Sequence, residues 1–288
     1  MYKVVTKRFL NEAKSICLFE VEAPLAAKHA QAGQFVIFRL DEEGERVPVS
    51  VADWNREKGT VTVMVQAAGR TTKMLHTVEE GDYISDFVGP LGKATEIEGL
   101  KKVCVVGGGV GCAIAYPIAK VMHQAGIEVT FIAGFRSKEI MILEDELKAV
   151  SDKLVICTDD GSYGVKGFTT QYLKDEIEAN IASGKAQFDR VIAIGPDIMM
   201  KFLADTTRPY GISTIISLDP IMVDGTGMCG GCRVIVGGET KFACVDGPDF
   251  DAHQVDFDSL LKRAAFYKDE QDEAAKHICN MTGGKRNG

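Results

Sequence analysis

The sequence lacks three features that would place the chain in a membrane, on nucleic acid or outside the cell. No apolar run reaches the roughly 20 residues that a membrane-spanning helix needs. No basic tract is present, and the net charge of −8 disfavours nucleic acid and anionic membranes as partners. The first residues alternate and carry charge, unlike the apolar core of a signal peptide. We therefore expect a cytoplasmic protein with no membrane span and no nucleic-acid partner.

The cysteines are too sparse for a disulfide scaffold. Eight occur among 288 residues, which favours a reducing compartment. Four lie within apolar stretches and are predicted to be buried thiols, namely Cys17, Cys104, Cys112 and Cys157. Cys279 lies in a polar tail without a visible ligand partner.

The other three cysteines lie together in a glycine-rich stretch. Cys229 and Cys232 form C-x2-C, Cys244 follows at a distance, and Asp224 precedes Cys229 by five positions. Plant-type [2Fe–2S] proteins use C-x4-C-x2-C plus a distant cysteine, so Asp224 stands where the first thiolate would be. Glycines also let the backbone wrap tightly and direct N–H groups at cluster sulfurs. The pattern favours a [2Fe–2S] cluster bound by these four residues, with a structural zinc site or three unrelated thiols as alternatives.

Residues 1–97 contain short alternating runs separated by turns, a pattern typical of a small antiparallel barrel. The segment Gly89–Gly92 predicts a sharp turn near the end of this region. Two segments of this region could clamp a pyrophosphate, because a fixed cation on an extended piece is followed by a predicted helix that begins with hydroxyls. The extended piece contains Arg46, Pro48, Val49 and Ser50, and the helix start contains Gly69, Thr71 and Thr72. A surface arginine on an edge strand and a threonine-capped helix explain these residues equally well.

From residue 98 to 216, strands alternate with helices, which predicts a parallel sheet. The apolar strand 103–106 runs into a turn that begins Gly107, Gly108, Gly109 and precedes a helix, an arrangement that directs backbone N–H groups at a dinucleotide phosphate. Polar glycine turns also end later strands, where such sheets bind ligands. No acidic residue closes the strand 128–133, and Arg136 could accept a 2′-phosphate, so the choice between NAD and NADP stays open.

The complete pattern predicts a β barrel plus an α/β fold in four parts. Residues 1–97 form an antiparallel barrel, and residues 98–216 form a parallel-sheet NAD(P)-binding domain. Residues 217–252 form a small [2Fe–2S] subdomain, and residues 253–288 form a C-terminal helix and tail. The apolar stripe of that helix is expected to pack on its own domain.

The order of Arg-x-Pro-x-Ser, Gly-Gly-Gly-Val-Gly and D/C-x4-C-x2-C…C resembles the ferredoxin–NADP reductase superfamily over residues 1 to about 250. It is similar to the group that contains the electron-transfer subunit of dihydroorotate dehydrogenase. With aspartate at the first cluster position, it resembles more closely the small (alpha) subunits of NADH-dependent reduced ferredoxin:NADP oxidoreductases, which are bifurcating transhydrogenases.

The resemblance implies three cofactor sites, and it makes the barrel of residues 1–97 the FAD-binding domain. FAD would contact Arg46, Pro48, Val49, Ser50, Gly69, Thr71 and Thr72, with Arg46 at the pyrophosphate and Ser50 near the isoalloxazine. NAD(H) or NADP(H), as substrate, would contact Gly107, Gly108, Gly109, Val110, Gly111, Gly134, Arg136, Ser137, Asp159, Asp160, Gly195 and Pro196. The [2Fe–2S] cluster would take Asp224, Cys229, Cys232 and Cys244.

The resemblance also implies electron transfer from NAD(H) through FAD and the cluster to a larger flavin and iron–sulfur subunit, with ferredoxin served by the complex. No side-chain acid or base is required. Three residues depart from relatives: Val49 replaces a tyrosine, Ile194 replaces a cysteine, and Asp224 replaces a thiolate. Asp224 favours the transhydrogenase over the dihydroorotate dehydrogenase subunit, which carries four cysteines. A nucleotide-binding module with structural zinc is the alternative from another class.

Overall fold

The computed structural model describes residues 1–266, which form two seven-stranded sheets and a two-stranded hairpin. The later part of the predicted C-terminal helix and tail, including Cys279, lies outside the described residues. Among residues 1–266, no helix has the length and apolarity required to cross a bilayer.

The first sheet is antiparallel and comes from the N-terminal third of the chain. Its strands are β1 (Tyr2–Phe9), β2 (Ile16–Glu22), β3 (Phe35–Arg39), β4 (Val47–Asn55), β5 (Thr60–Gln66), β6 (Tyr83–Ile84) and β7 (Asp86–Leu91), with helices α1 (Pro24–His29) and α2 (Arg70–Leu75) between them. The strand order is β6-β1-β2-β5-β4-β3-β7. Alternate side chains enclose an apolar core around Phe19, Phe38 and Val63, which confirms the barrel.

One local prediction was wrong. The segment Gly89–Gly92 reads as a sharp turn in sequence, yet Gly89 to Leu91 continue β7 and pair with β3, where Phe35 lies opposite Leu91. The chain turns only at Gly92, whose φ is +74°. Tertiary pairing outweighs local turn propensity here because β3 offers free backbone partners.

The second sheet contains the predicted α/β alternation. Its parallel strands are β8 (Lys102–Gly108), β9 (Glu128–Phe135), β10 (Lys153–Thr158), β11 (Val165–Lys166), β12 (Arg190–Ile194) and β13 (Ser213–Ser217), and its helices are α3 (Gly111–Gln124), α4 (Glu144–Ala149), α5 (Thr169–Ala182) and α6 (Asp197–Thr207). The order β11-β10-β9-β8-β12-β13 places β8 between β9 and β12. Chain order reverses direction there, which leaves a crevice at the carboxyl ends of the strands.

The C-terminal segment packs against both sheets. It contains the hairpin β14 (Arg233–Val236) and β15 (Glu239–Phe242), the short helix α7 (Ala243–Asp246), the strand β16 (Asp249–Asp251) and the helix α8 (Phe257–Ala264). β16 joins the second sheet antiparallel to β13. Buried Cys232 and Cys244 share one apolar core with Phe35 and Ile37 of the barrel and with Val106 of β8. The cysteine-bearing segment is therefore an integral part of the fold.

Candidate functional site

A cleft of about 1160 Å³ separates the barrel from the carboxyl ends of the parallel strands. Its barrel wall includes Phe35, Pro48, Val49 and Ser50 on β3 and β4. Its opposite wall is formed by the turns that follow β8, β9, β10 and β12. The volume exceeds the range of roughly 300–1,000 Å³ usual for a single small-molecule pocket. Two ligands can therefore face each other across it.

The glycine turn after β8 has the geometry expected of a dinucleotide site. Gly109 has φ +56°, and a Cβ on Gly111 would lie 2.2 Å from the carbonyl oxygen of Ile194. Only glycine permits this close approach of α3 to β12. The 14-residue helix α3 then starts at the cleft, and its free N–H groups and dipole favour an anion there.

Most of the nucleotide-site residues predicted from sequence reach the cleft. Those that line it are Gly108, Gly109, Val110, Gly111, Gly134, Arg136, Ser137, Asp159, Gly195 and Pro196. Two do not. Gly107 is buried in β8 against Cys112, and the Asp160 carboxylate accepts hydrogen bonds from the N–H and hydroxyl of Ser162. Asp160 thus shapes the turn after β10.

The residues predicted to bind FAD divide into two groups. Pro48, Val49 and Ser50 line the cleft. Arg46, Gly69, Thr71 and Thr72 lie away from its lining. The hydroxyls of the helix start are already engaged, since Thr71 donates to Glu45 and Thr72 accepts from the N–H of Gly69 at 3.0 Å. The role of this second group stays a prediction.

The cleft also contains residues that sequence reasoning missed. They are Phe35, Gln66, Phe168, Thr169, Thr170, Asp197, Ile198, Met199, Phe202 and Asp219, among others. Asp197 and Asp219 follow β12 and β13, and their position after strand ends was the available signal. The exposed rings of Phe168 and Phe202 gave no signal, because Phe168 directly precedes α5 and Phe202 lies within α6, both otherwise ordinary helical stretches.

The four apolar-stretch cysteines are buried free thiols, as predicted. Burial raises the pKa of Cys157, which lines the cleft, to about 11. It raises the pKa values of Cys104 and Cys112 further still. These thiols are therefore neutral and unreactive near pH 7.

Cys232 and Cys244 come together without forming a disulfide. Both are buried, and their sulfur atoms lie 3.2 Å apart. Burial raises the pKa of Cys244 to about 12, and the Cys232 thiol and the Asp224 carboxylate act in the same direction. A bound cation would remove these protons, because thiolates are the form that ligates metal.

Cys229 and Asp224 lie on the exposed loop beside this pair. The Asp224 carboxylate accepts hydrogen bonds from the backbone N–H groups of Thr226, Met228 and Cys229 at 2.9, 3.1 and 2.8 Å. These bonds, that from Thr226 first, lower the pKa of Asp224. Oδ1 accepts one of the three bonds and so keeps a free lone pair.

Backbone N–H groups also point at sulfur, as a cluster site requires. Gly231 donates to the Cys229 sulfur at 3.4 Å, and Cys244 donates to the Cys232 sulfur at 3.5 Å. Within residues 1–266, no three His, Cys, Asp or Glu side chains are arranged to hold one metal ion. In a two-iron cluster each iron takes a pair of protein ligands, and the Cys232–Cys244 pair fits that requirement.

A family model gives the class of protein that this fold and loop define. The model described as "Iron-sulfur cluster binding domain of dihydroorotate dehydrogenase B" matches residues 219–256. This range contains all four predicted ligands. The chain is thus a component of an oxidoreductase. It is built on two β-sheets and carries an iron–sulfur domain, as the sequence predicted.

Relatives that align with nearly the full length of the chain show which family within this class it belongs to. The chain is 50% identical to a Clostridium beijerinckii protein described only by its position near adh, over 96% of this chain and 94% of that protein. It is 47% identical to the "Dihydroorotate dehydrogenase B (NAD(+)), electron transfer subunit homolog" of Thermotoga maritima, over 94% of each. The chain belongs to the family of dihydroorotate dehydrogenase B electron-transfer subunits and their homologues.

A solved structure in this family has nearly the same fold. It is described as that of an NADH-dependent reduced ferredoxin-NADP oxidoreductase, studied for flavin-based electron bifurcation. The identity is 45% and the TM-score 0.88, over 96% of this chain and 97% of the other. The resemblance inferred from the sequence is confirmed, both to the dihydroorotate dehydrogenase electron-transfer subunits and to the NADH-dependent reduced ferredoxin-NADP oxidoreductase.

Proposed function

We propose that this chain is the electron-transfer subunit of a larger flavoenzyme, and that it connects NAD(H) with the redox centres of a partner through FAD and a [2Fe–2S] cluster. The subunit of a bifurcating NADH-dependent ferredoxin:NADP transhydrogenase is the favoured assignment. Asp224 at the first ligand position, together with the 45% identical structure, supports this choice.

One observation carries the proposal. One face of the barrel strand β3 borders both the cleft and the cluster segment. Phe35 on β3 lines the cleft. Ile37, two positions on and therefore on the same face of the strand, lies with Phe35 in the apolar core that contains Cys232 and Cys244. A Cβ on Gly225 of the cluster loop would lie 2.8 Å from Ile37 Cδ1 and 2.7 Å from Leu91 Cδ1. The cleft and the cysteines therefore lie on either side of the same few side chains of β3.

The residues have distinct tasks in this arrangement. Pro48, Val49 and Ser50 would hold the isoalloxazine with aliphatic cover and one hydroxyl. The turn at Gly109–Gly111 would hold the NAD(H) pyrophosphate through main-chain N–H groups. Held by these residues, FAD would supply acceptance of hydride from the nicotinamide, and a [2Fe–2S] cluster at Asp224, Cys229, Cys232 and Cys244 would supply one-electron transfer. The chain supplies position, exclusion of water and the ligand set.

The direct test is a cofactor inventory. The chain, produced with iron supplied and purified without oxygen, should contain flavin, iron and inorganic sulfide, and NADH should bleach its visible absorption. Cys232→Ser should lose the iron and sulfide and keep the flavin, because this sulfur lies in the buried pair. Cys104→Ala, a buried thiol in β8, is the matched control and should keep all three. A colourless protein containing zinc would refute the proposal and favour the nucleotide-binding module.

A second function has specific support. The family model of residues 219–256 is that of dihydroorotate dehydrogenase B, so an orotate-linked electron-transfer subunit fits the same fold. The identity of the protein that co-purifies with this chain distinguishes the transhydrogenase subunit from the orotate-linked subunit. A tagged chain retrieved from its native cells should bring with it a large flavin and iron–sulfur protein. Recovery of a TIM-barrel flavoprotein would establish the orotate-linked role, and a fully active free monomer would contradict both.

A further inference from the structure

Two carboxylates to which the proposed function gives no task line the cleft. Asp197 is the first residue of α6, directly after β12, and Asp219 follows β13. The strands β12 and β13 are parallel neighbours, with Ala193 beside Ile216. Their carboxyl ends therefore bring the two acids to the same wall of the cleft.

No cation neutralises this pair. Within the described part of the chain, neither carboxylate forms an ion pair or a hydrogen bond to another side chain. Burial raises the pKa of Asp197 to about 6, and the nearby Asp219 adds to the rise. Desolvation also raises the pKa of Asp219, opposed only by its own backbone N–H. When ionised, the two carboxylates concentrate negative charge on this wall of the cleft.

Other charged groups near this wall face elsewhere. On α8, which packs against α6, Asp258 pairs with Lys201 at 2.8 Å. On β16, beside β13, Asp249 accepts a hydrogen bond from Thr95 at 2.6 Å, outside the cleft lining.

The charged groups that share the cleft are remote. Arg136 and Asp159 lie at the carboxyl ends of β9 and β10, which the sheet order places on the other side of β8. Neither contributes to the pKa of Asp197. A ligand at the ends of β12 and β13 therefore meets Asp197 and Asp219 as the charged groups of this part of the cleft lining.

The position of the pair along a bound dinucleotide follows from the fold. With its pyrophosphate at the start of α3, the ligand runs along the ends of the strands. One end reaches Arg136 and Asp159, where the strand ends suit an adenosine ribose. The other end reaches β12, β13 and the barrel wall at Ser50, and there the nicotinamide would lie before the two acids.

The nicotinamide ring is the part of the coenzyme whose charge changes with oxidation. It carries a positive charge in NAD⁺ and none in the reduced ring. An ionised carboxylate within a few ångströms in a cleft of low dielectric favours the cation. The adenosine end has the same charge in both forms and cannot make this distinction.

We propose that Asp197 and Asp219 determine which oxidation state of the coenzyme the cleft prefers, by binding the cationic oxidised ring more tightly than the neutral reduced ring. The inference rests on the proposed function, because it takes the cleft as the NAD(H) site. It assigns to these two residues the discrimination between the oxidised and the reduced coenzyme. It also makes the release of NAD⁺ depend on whether their carboxyl groups are protonated.

The test compares three ligands on the oxidised holoprotein. Dissociation constants are measured between pH 5 and 7.5 for NAD⁺, for 1,4,5,6-tetrahydro-NAD, whose ring is neutral and donates no hydride, and for ADP-ribose, which has no ring. Binding of NAD⁺ relative to tetrahydro-NAD should strengthen about tenfold as pH rises through 6, the size expected of one partly screened charge. ADP-ribose should show no such rise.

Two variants and one control locate the effect. Asp219→Asn and Asp197→Asn should each remove most of the preference for NAD⁺ at pH 7.5 and change ADP-ribose binding less than about twofold, since its phosphates bind elsewhere. Asp205→Asn removes the same charge from an exposed position of α6 and should leave the preference intact. A preference that is independent of pH and unchanged in both variants would overturn the inference. Failure of all three ligands to bind would instead overturn the cleft as a coenzyme site, and with it the proposed function.

Discussion

Arg46 of the barrel donates a hydrogen bond of 2.6 Å from Nε to the carbonyl oxygen of Val223, a residue 177 positions later in the chain. Val223 directly precedes Asp224, so this guanidinium holds the start of the cysteine loop. The terminal nitrogens of Arg46 have no hydrogen-bond partner within residues 1–266. The same side chain can thus hold the loop and still present charge to an anion, which links two sites that sequence reasoning treated separately.

Replacing this arginine should loosen the loop. Arg46→Lys keeps the charge and loses the Nε–H, so we expect hydrogen exchange of the backbone amides of Thr226 and Cys229 to accelerate about fivefold, the equivalent of one ordinary hydrogen bond of about 1 kcal/mol. Arg56→Lys is the control, because Arg56 Nε also donates to a backbone carbonyl, that of Lys28. Equal exchange rates in both variants would show that the Val223 contact does not constrain the loop.

Gly225 allows the cysteine loop to approach the barrel. Its φ is +78°, and an added Cβ would collide with Ile37 and Leu91. Gly238, in the turn of the nearby hairpin, has the same φ of +78° and open space around it. In denaturant unfolding, Gly238→Ala should cost about 1 kcal/mol for backbone strain alone. Gly225→Ala should cost about 2–4 kcal/mol, since overpacking adds to the strain.

If the two alanine variants are equally stable, the loop does not pack on the barrel as described. If Gly225→Ala is the less stable, iron content should fall with it. The difference between the two variants, unlike either value alone, isolates the contact between loop and barrel.

The Asp224 series tests the unusual ligand position. Asp224→Cys should retain a cluster with a changed EPR signal, because a thiolate replaces a carboxylate. Asp224→Asn keeps one acceptor oxygen, which can serve either the amide of Thr226 or those of Met228 and Cys229, and it loses the anionic charge. We expect reduced iron content in the asparagine variant, together with faster hydrogen exchange of the backbone amides that lose their acceptor. An unchanged spectrum in Asp224→Ala would show that Asp224 is not a ligand.

The outer end of the cleft should set the preference between the two coenzymes. Arg136 can accept a 2′-phosphate, and the Asp159 carboxylate repels one and can accept ribose hydroxyls. We therefore expect Asp159→Asn to raise kcat/KM for NADPH relative to NADH about tenfold, and Arg136→Gln to lower it by a similar factor. Steady-state reduction of a soluble acceptor gives both values. Shifts in the same direction in the two variants would exclude these opposed roles.

The raised pKa of the Asp249 carboxyl should make the stability of the protein depend on pH. The carboxyl is fully buried, and burial raises its pKa to about 6, against an ordinary value of 3.8. The folded state therefore binds more protons than the unfolded state between these values. The sign follows: the contribution of Asp249 is most favourable below about pH 4 and is lost as pH rises through 6.

The variant Asp249→Asn measures this contribution, since its amide does not titrate. The free energy of unfolding of the wild type, relative to the variant, should fall by about 1–3 kcal/mol between pH 4 and 7. The difference is needed because Asp197 titrates in the same range and with the same sign. A constant difference across this range would place the pKa of Asp249 near its ordinary value.

Sequence determined the architecture because its signals are local. Alternation along 2–9 and 16–22 makes one face of each strand apolar, and the run into Gly109 requires a tight strand–turn–helix connection. The spacing of Asp224, Cys229 and Cys232 likewise lies within one loop. For these features, residues that are close in sequence are enough to determine the local conformation and the candidate ligands.

Only the tertiary structure decided which distant residues share a site. It paired the sulfur atoms of Cys232 and Cys244, attached Arg46 to Val223, and set Asp197 beside Asp219 at adjacent strand ends. Burial and electrostatic coupling depend on how sheets pack in three dimensions, and local patterns do not encode that packing. Sequence therefore determined the kind of sites this protein has, and the fold decided how they are joined.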